Sequence, residues 1–166
     1  YMSGERSPIW NTDARGVFIG MHYGTTRADL IRALMEGCVF AVYHNMLVAL
    51  DSGAQIHEWI GIGGASNSAS WCQLKANITN RPFTVNRRAN GSPGDNTLGL
   101  AVMAGYGVGV YPDLADTIEQ FLPVRRTYQP DAAAHAVYER LYPIFRSTYE
   151  NLKSTFAELS AFTSQQ

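Results

Sequence analysis

Residues 59–74, WIGIGGASNSASWCQL, set a double glycine between a short apolar run and a group of small polar residues. A glycine turn at the end of a strand and the start of a helix can bring backbone N–H groups up to a ligand. Three ligand-binding patterns compete for it. A phosphate-binding P-loop needs GxxxxGK followed by Ser or Thr, and no Lys follows these glycines, which excludes it. The dinucleotide fingerprint needs GxGxxG. Gly61-Ile62-Gly63 supplies its first half, but Ser66 stands at the third glycine position. No acidic residue closes the next apolar stretch either, because Phe83-Thr84-Val85 runs into Asn86-Arg87-Arg88. The third pattern is a strand ending in Gly63-Gly64 so that a flat ligand can lie on bare backbone. The helix N-terminus and its small caps Ser66, Asn67 and Ser68 would then give hydrogen bonds. The plainer alternative, two glycines that only permit a tight turn, stays open on these residues alone.

Other chemistry-bearing residues carry less. His22, His44, His57 and His135 are scattered, with no Cys or acid at ligand spacing, so surface or capping roles are expected and no metal site. Cys38 and Cys72 sit in apolar, helical contexts and read as two reduced, buried thiols rather than a disulfide or a zinc site. Asp13 and Arg15, with Glu5 and Arg6, are expected to hold a loop by ion pairs. Arg87 and Arg88 read as a solvated loop face.

The elements that must position the glycine turn can be read from caps and periodicity. Residues 1–24 are rich in turn formers and read as a long ordered loop, with a short extended piece at 17–19. Thr26-Arg27-Ala28-Asp29 fits a capping box. Apolar residues then recur at helical spacing from Leu30 to Leu50, and Gly53 stands where a terminating glycine should, so 27–52 is a long buried helix. Residues 59–62 fit a buried parallel strand, 68–79 a helix, and 83–85 the next strand, together a βαβ unit. Asp95 or Asn96 caps a helix of small residues over 98–105, whose lack of bulk predicts tight backbone packing. Pro112-Asp113 starts a short helix to Phe121. Residues 131–162 form a final helix that Pro143 should kink.

Composition sets the limits. The 166 residues suffice for one domain, and 46% apolar with 16% charged residues is an ordinary globular balance. A formal net charge of −1 gives no reason to propose a nucleic-acid or membrane surface held by bulk electrostatics. No run approaches the roughly 18 apolar residues of a spanning helix. No leader is visible at the start, and a cytoplasmic location is expected. The chain opens Tyr1-Met2 and reads as a piece of a longer protein.

Three stretches resemble one family, the FGGY carbohydrate kinases. GIGGASNSASWCQLKANITNRPFTV (61–85) looks like that family's adenosine-binding stretch, typically GGGAxSxxWxQxxADxxxxPV. Gly63, Gly64, Ala65, Ser68, Trp71, Gln73, Ala76, Pro82 and Val85 carry the likeness. GVFIGMHYGTTRADLIRALMEG (16–37) looks like the C-terminal signature, and GERSPIWNTDARG (4–16) is similar to the GERTPxxDxxARG loop of xylulose-kinase-like members. The three keep the family's order and spacing, and the resemblance covers about 1–150.

The resemblance implies an α/β fold, part of an actin-like ATPase (ribonuclease H-like) domain. Residues 1–166 would be the C-terminal, adenosine-binding domain, incomplete at its N-terminal side, with no second domain present. It should be helix-rich, with two or so parallel strands and an exposed sheet edge. It further implies an ATP- and Mg²⁺-dependent kinase acting on a pentulose or similar sugar or polyol. Gly63-Gly64-Ala65 would pack against the adenine and ribose, and Ser68 would hydrogen-bond the base edge. The catalytic Asp, the sugar pocket and the phosphate loops would lie upstream, so no catalytic and no metal-binding residue is expected in this chain. The partner is a small-molecule sugar, with no nucleic acid and no membrane; a homodimer is among the expectations. The alternative is a non-catalytic nucleotide-binding module of the same fold. A Rossmann-type oxidoreductase is a third option. Asn77 where the family has Asp, the Pro93-Gly94-Asp95-Asn96-Thr97 segment and the lengthened NRRANG loop depart from the pattern and leave the substrate subclass open.

Overall fold

The computed structural model describes residues 1–2 and 4–163. They divide into two compact units: residues 1–55 with the last helix, and Ile56–Asp131.

In the first unit, helix α1 spans Arg27–Asp51. The expected capping box is formed. Thr26 Oγ1 accepts from Asp29 N at 3.2 Å, and Asp29 Oδ2 accepts from Thr26 N at 2.9 Å. Gly53 ends the helix at φ 91°, a left-handed conformation that glycine adopts without penalty. By length and composition α1 is apolar enough to cross a membrane, with a mean hydropathy of 1.5, which corrects the expectation that no stretch is. Here it lies against α5, Ala132–Thr163, the two helices meeting along an aromatic seam. Phe40 packs on Tyr138, Tyr142 and Phe145. Arg32, Glu36 and Tyr138 close one end of the seam. The Tyr138 hydroxyl donates to Glu36 at 2.8 Å and accepts from Arg32 at 3.0 Å.

The loop before α1 is anchored on both helices. Ser7 bonds Asn45 of α1, and Asn11 donates to the Tyr149 hydroxyl of α5 at 2.9 Å. Within the loop, Gly4 N donates to Ala14 O at 2.9 Å and Arg15 to Thr12 O at 2.8 Å. Among the described residues these hydrogen bonds, rather than the expected ion pairs, hold it. The extended piece at 17–19 forms no strand.

The second unit is built on a three-stranded sheet in the order β1-β2-β3, with β1 Trp59–Gly61, β2 Phe83–Arg87 and β3 Val124–Tyr128. β1 and β2 are parallel, with Trp59 opposite Phe83, joined through helix α2 (Ala69–Thr79). β3 is antiparallel to β2 and was not anticipated, so the sheet is mixed. Cys72 and Ala76 of α2 bury against Phe83, Val85 and Tyr128. Full burial of a ring such as Phe83 contributes roughly 1.5–3 kcal/mol. Asn80, left-handed at φ 51°, ends α2.

Helix α3, Asn96–Gly107, takes Asp95 as its cap, and α4, Leu114–Phe121, takes Asp113. The expected close packing of α3 is realised at one glycine. A Cβ on Gly105 would lie 2.4 Å from the Tyr111 ring. Val102 of α3 is also buried, whereas Leu100 and Met103 are exposed.

The thiols divide: Cys72 is buried as expected, but Cys38 is exposed. Among the histidines His44 departs from expectation. It is buried on α1, one helical turn from Phe40, with its Nε2 against the Arg146 guanidinium.

Candidate functional site

Three glycines of the turn between β1 and α2 do different things. A Cβ on Gly61 would lie 2.4 Å from the Phe83 ring and 2.8 Å from Ser66 Oγ, so Gly61 is needed for packing. Gly63 has φ 74°, which L side chains rarely adopt, so it is needed for the turn. Gly64 has neither reason. Its backbone is ordinary, and a Cβ there would meet nothing within 4 Å. Gly64 and Ala65 are exposed, while Gly63 and Ser68 are half-buried.

A single 3-10 turn, Gly64–Asn67, carries the chain from Gly63 to α2. Ser68, not Ser66 or Asn67, caps α2; its Oγ accepts from Trp71 N at 3.3 Å. A hydroxyl that accepts one bond still has its own hydrogen to donate. Ser66 is a plug instead. It is fully buried and its Oγ donates to Ile62 O at 3.1 Å.

The turn is clamped from β2 and the loop after it. Gly63 N donates to Gly94 O at 3.1 Å. The Arg87 guanidinium donates to Ser66 O at 2.7 Å and to Gly91 O at 2.8 Å. Arg87 is therefore half-buried and structural, not a solvated loop residue as expected. An arginine pair at a strand's end gives no signal in the sequence of such a role for its first member. Arg88 pairs with Asp95 at 2.9 Å, and Asp95 caps α3 through a 2.8 Å bond from Leu98 N. The NRRANG loop thus ties the turn to α3. The Cys72 thiol, whose pKa burial pushes up, lies 3.6 Å from Ser66 O.

Gln73 and Asn77 serve the far side of α2. Gln73 donates to Asn77 Oδ1 at 2.8 Å and to Gln129 O at 2.7 Å. Asn77 Oδ1 also accepts from Asp131 N at 3.0 Å. An Asp at this position would offer the same acceptor oxygen, so the departure at Asn77 keeps the contact.

Beside the turn lies a cavity of about 600 Å³, walled by Ile60, Ile62, Val102, Met103, Phe121 and Leu122. Gly94, Asp95 and Asn96 lie at its lining, but Gly63, Gly64, Ala65 and Ser68 do not. Of the four expected site residues, Gly64 and Ala65 thus form an exposed ledge next to the cavity, flanked by half-buried Gly63 and Ser68.

The model of the FGGY family of carbohydrate kinases, C-terminal domain, matches residues 1–108, a span that includes this turn. The chain belongs to the FGGY family of carbohydrate kinases. It is 30% identical over 163 residues to a xylulose kinase of Staphylococcus epidermidis, covering 98% of this chain and 32% of that protein. Among solved structures it is similar to a ligand-bound xylulose kinase from Lactobacillus acidophilus, at TM-score 0.79 and 28% identity, over 96% of this chain and 31% of that one. A gluconate kinase from the same organism matches at TM-score 0.76 and 28% identity, over 96% and 31%. This FGGY chain therefore spans about a third of the length of these relatives. Its helix-rich fold with a small mixed sheet is that of the family's actin-like ATPase domains.

Proposed function

We propose that this chain is the adenosine-binding part of a carbohydrate kinase of the cytoplasm. The whole protein would transfer the γ-phosphoryl of ATP to a hydroxyl of a pentulose or a similar sugar or polyol. The xylulose kinase and gluconate kinase relatives support the substrate class. The observation that carries the nucleotide assignment is Gly64. It needs no glycine for its own backbone or packing, yet a purine lying on this ledge would meet bare backbone there. Gly63, Gly64 and Ala65 would take the adenine and ribose, and the Ser68 hydroxyl would donate to the base edge.

The residues present fit adenosine but not the whole reaction. ATP supplies the phosphoryl group, and Mg²⁺ neutralises charge during transfer. Among the described residues no three His, Cys, Asp or Glu side chains gather. The general base and sugar pocket are assigned to the part of the protein that the relatives have beyond this match.

A coupled ADP-release assay on the intact protein tests this with D-xylulose, gluconate and glycerol. Turnover with one of these sugars and ATP is expected. ATP binding without turnover on any sugar would favour a non-catalytic nucleotide-binding module instead.

A further inference from the structure

Helix α5 carries two apolar faces, and the first unit uses one of them. Tyr138 and Phe145 pack on Phe40 of α1, and Tyr149 and Phe156 bury with Ala14 of the loop before α1. Val137, Leu141, Ile144, Leu159 and Phe162 recur at helical spacing about a quarter-turn away. Each of these keeps between 37% and 63% of its surface in water. Thr148, Asn151 and Thr155 continue the stripe between its two apolar ends and carry no charge. The Thr148 hydroxyl donates to Ile144 O at 2.8 Å, so covering it strands no donor.

The charged side chains of α5 indicate what covers this stripe. Glu150 pairs with Lys153, Glu139 lies by His135, and Arg146 contacts His44. Arg140 and Glu158 have no ion-pair partner among the described residues. They stand about five helical turns apart, so both flank the stripe on the same edge. A second α5 laid antiparallel, with the midpoint between Tyr149 and Glu150, brings Arg140 of each chain beside Glu158 of the other. The same register sets Val137 against Phe162 and Ile144 against Thr155, a larger side chain facing a smaller one each time. Parallel copies would set Arg140 on Arg140 and Glu158 on Glu158, and like charges disfavour that arrangement.

We propose that α5 is an isologous dimer interface, its stripe covered by the antiparallel α5 of a second copy of this chain. The apolar ends supply affinity, and the two Arg140–Glu158 pairs set direction and register. The inference is independent of the nucleotide reading, because the stripe belongs to the first unit and the glycine turn to the second.

The test is analytical ultracentrifugation of the intact protein at about 10 μM. The parent should sediment at twice the mass of one chain, and Ile144→Asp at the mass of one. Arg140→Glu should raise the dissociation constant about tenfold or more, because it sets two acids together in each pair. Adding Glu158→Arg to it should restore the parent value, since the pair is then only reversed. A monomeric parent overturns the proposal and assigns the stripe to another part of the protein. A dimer that Arg140→Glu leaves unchanged, or that the double exchange fails to restore, overturns it as well.

Discussion

Arg87 at the end of β2 donates to the carbonyl of Ser66, in the middle of the glycine turn, across 2.7 Å. This bond fixes the ledge of Gly64 and Ala65 to the sheet. A charge-assisted bond to a buried carbonyl is worth about 1.5–3 kcal/mol. Arg87→Ala should therefore lower the unfolding free energy by an amount of that order in denaturant titration. It should also raise the KM for ATP severalfold while leaving the sugar KM in place. If neither stability nor the ATP KM moves, the clamp is of no consequence.

Gly61 and Gly64 stand three residues apart and should respond oppositely. A methyl at Gly61 runs into Phe83 and Ser66. Gly61→Ala should cost about 1–3 kcal/mol of stability, the usual range for overpacking. Gly64→Ala meets open space and should change stability by less than about 0.5 kcal/mol. Equal thermal shifts in the two variants would show that the turn's packing has been misread.

His44 should make the α1–α5 seam sensitive to mild acid. Its pKa is pushed down, first by burial and then by the Arg146 guanidinium beside it. The neutral ring is the one that accepts from Arg146. A depressed folded value means that the stability it contributes is present above the ordinary histidine value of 6.5 and is lost as pH falls below it. Thermal melts should drop between pH 7 and pH 5.5, and His44→Gln should flatten that drop. An undiminished drop in the variant would place the acid sensitivity elsewhere.

Much of the fold was legible because caps are local. Thr26 with Asp29, Ser68, Asp95 and Asp113 all end up capping the helices they precede. β3 was not legible for the opposite reason. Val124, Arg125, Arg126 and Thr127 are exposed, so this strand shows little apolar alternation, and two arginines sit where a strand at the rim of a sheet faces water. His44 was misplaced because a helical residue's burial depends on which helix packs against it, and α5 is about a hundred residues away in sequence. At the site, the four residues were placed on one turn by the glycines and the serine cap. The sorting of Gly61, Gly63 and Gly64 into packing, dihedral and open positions needed coordinates. Spacing does not say what a Cβ would touch.

The proposed adenine assignment is tested most directly by Gly64→Leu in the intact protein, through the KM values for ATP and for the sugar. A Cβ at Gly64 meets nothing within 4 Å, and an isobutyl group on the ledge would compete for the space proposed for a purine. The ATP KM should rise about tenfold or more, some 1.4 kcal/mol of lost binding, with the sugar KM within about twofold of the parent. An unchanged ATP KM in a folded Gly64→Leu protein would contradict it.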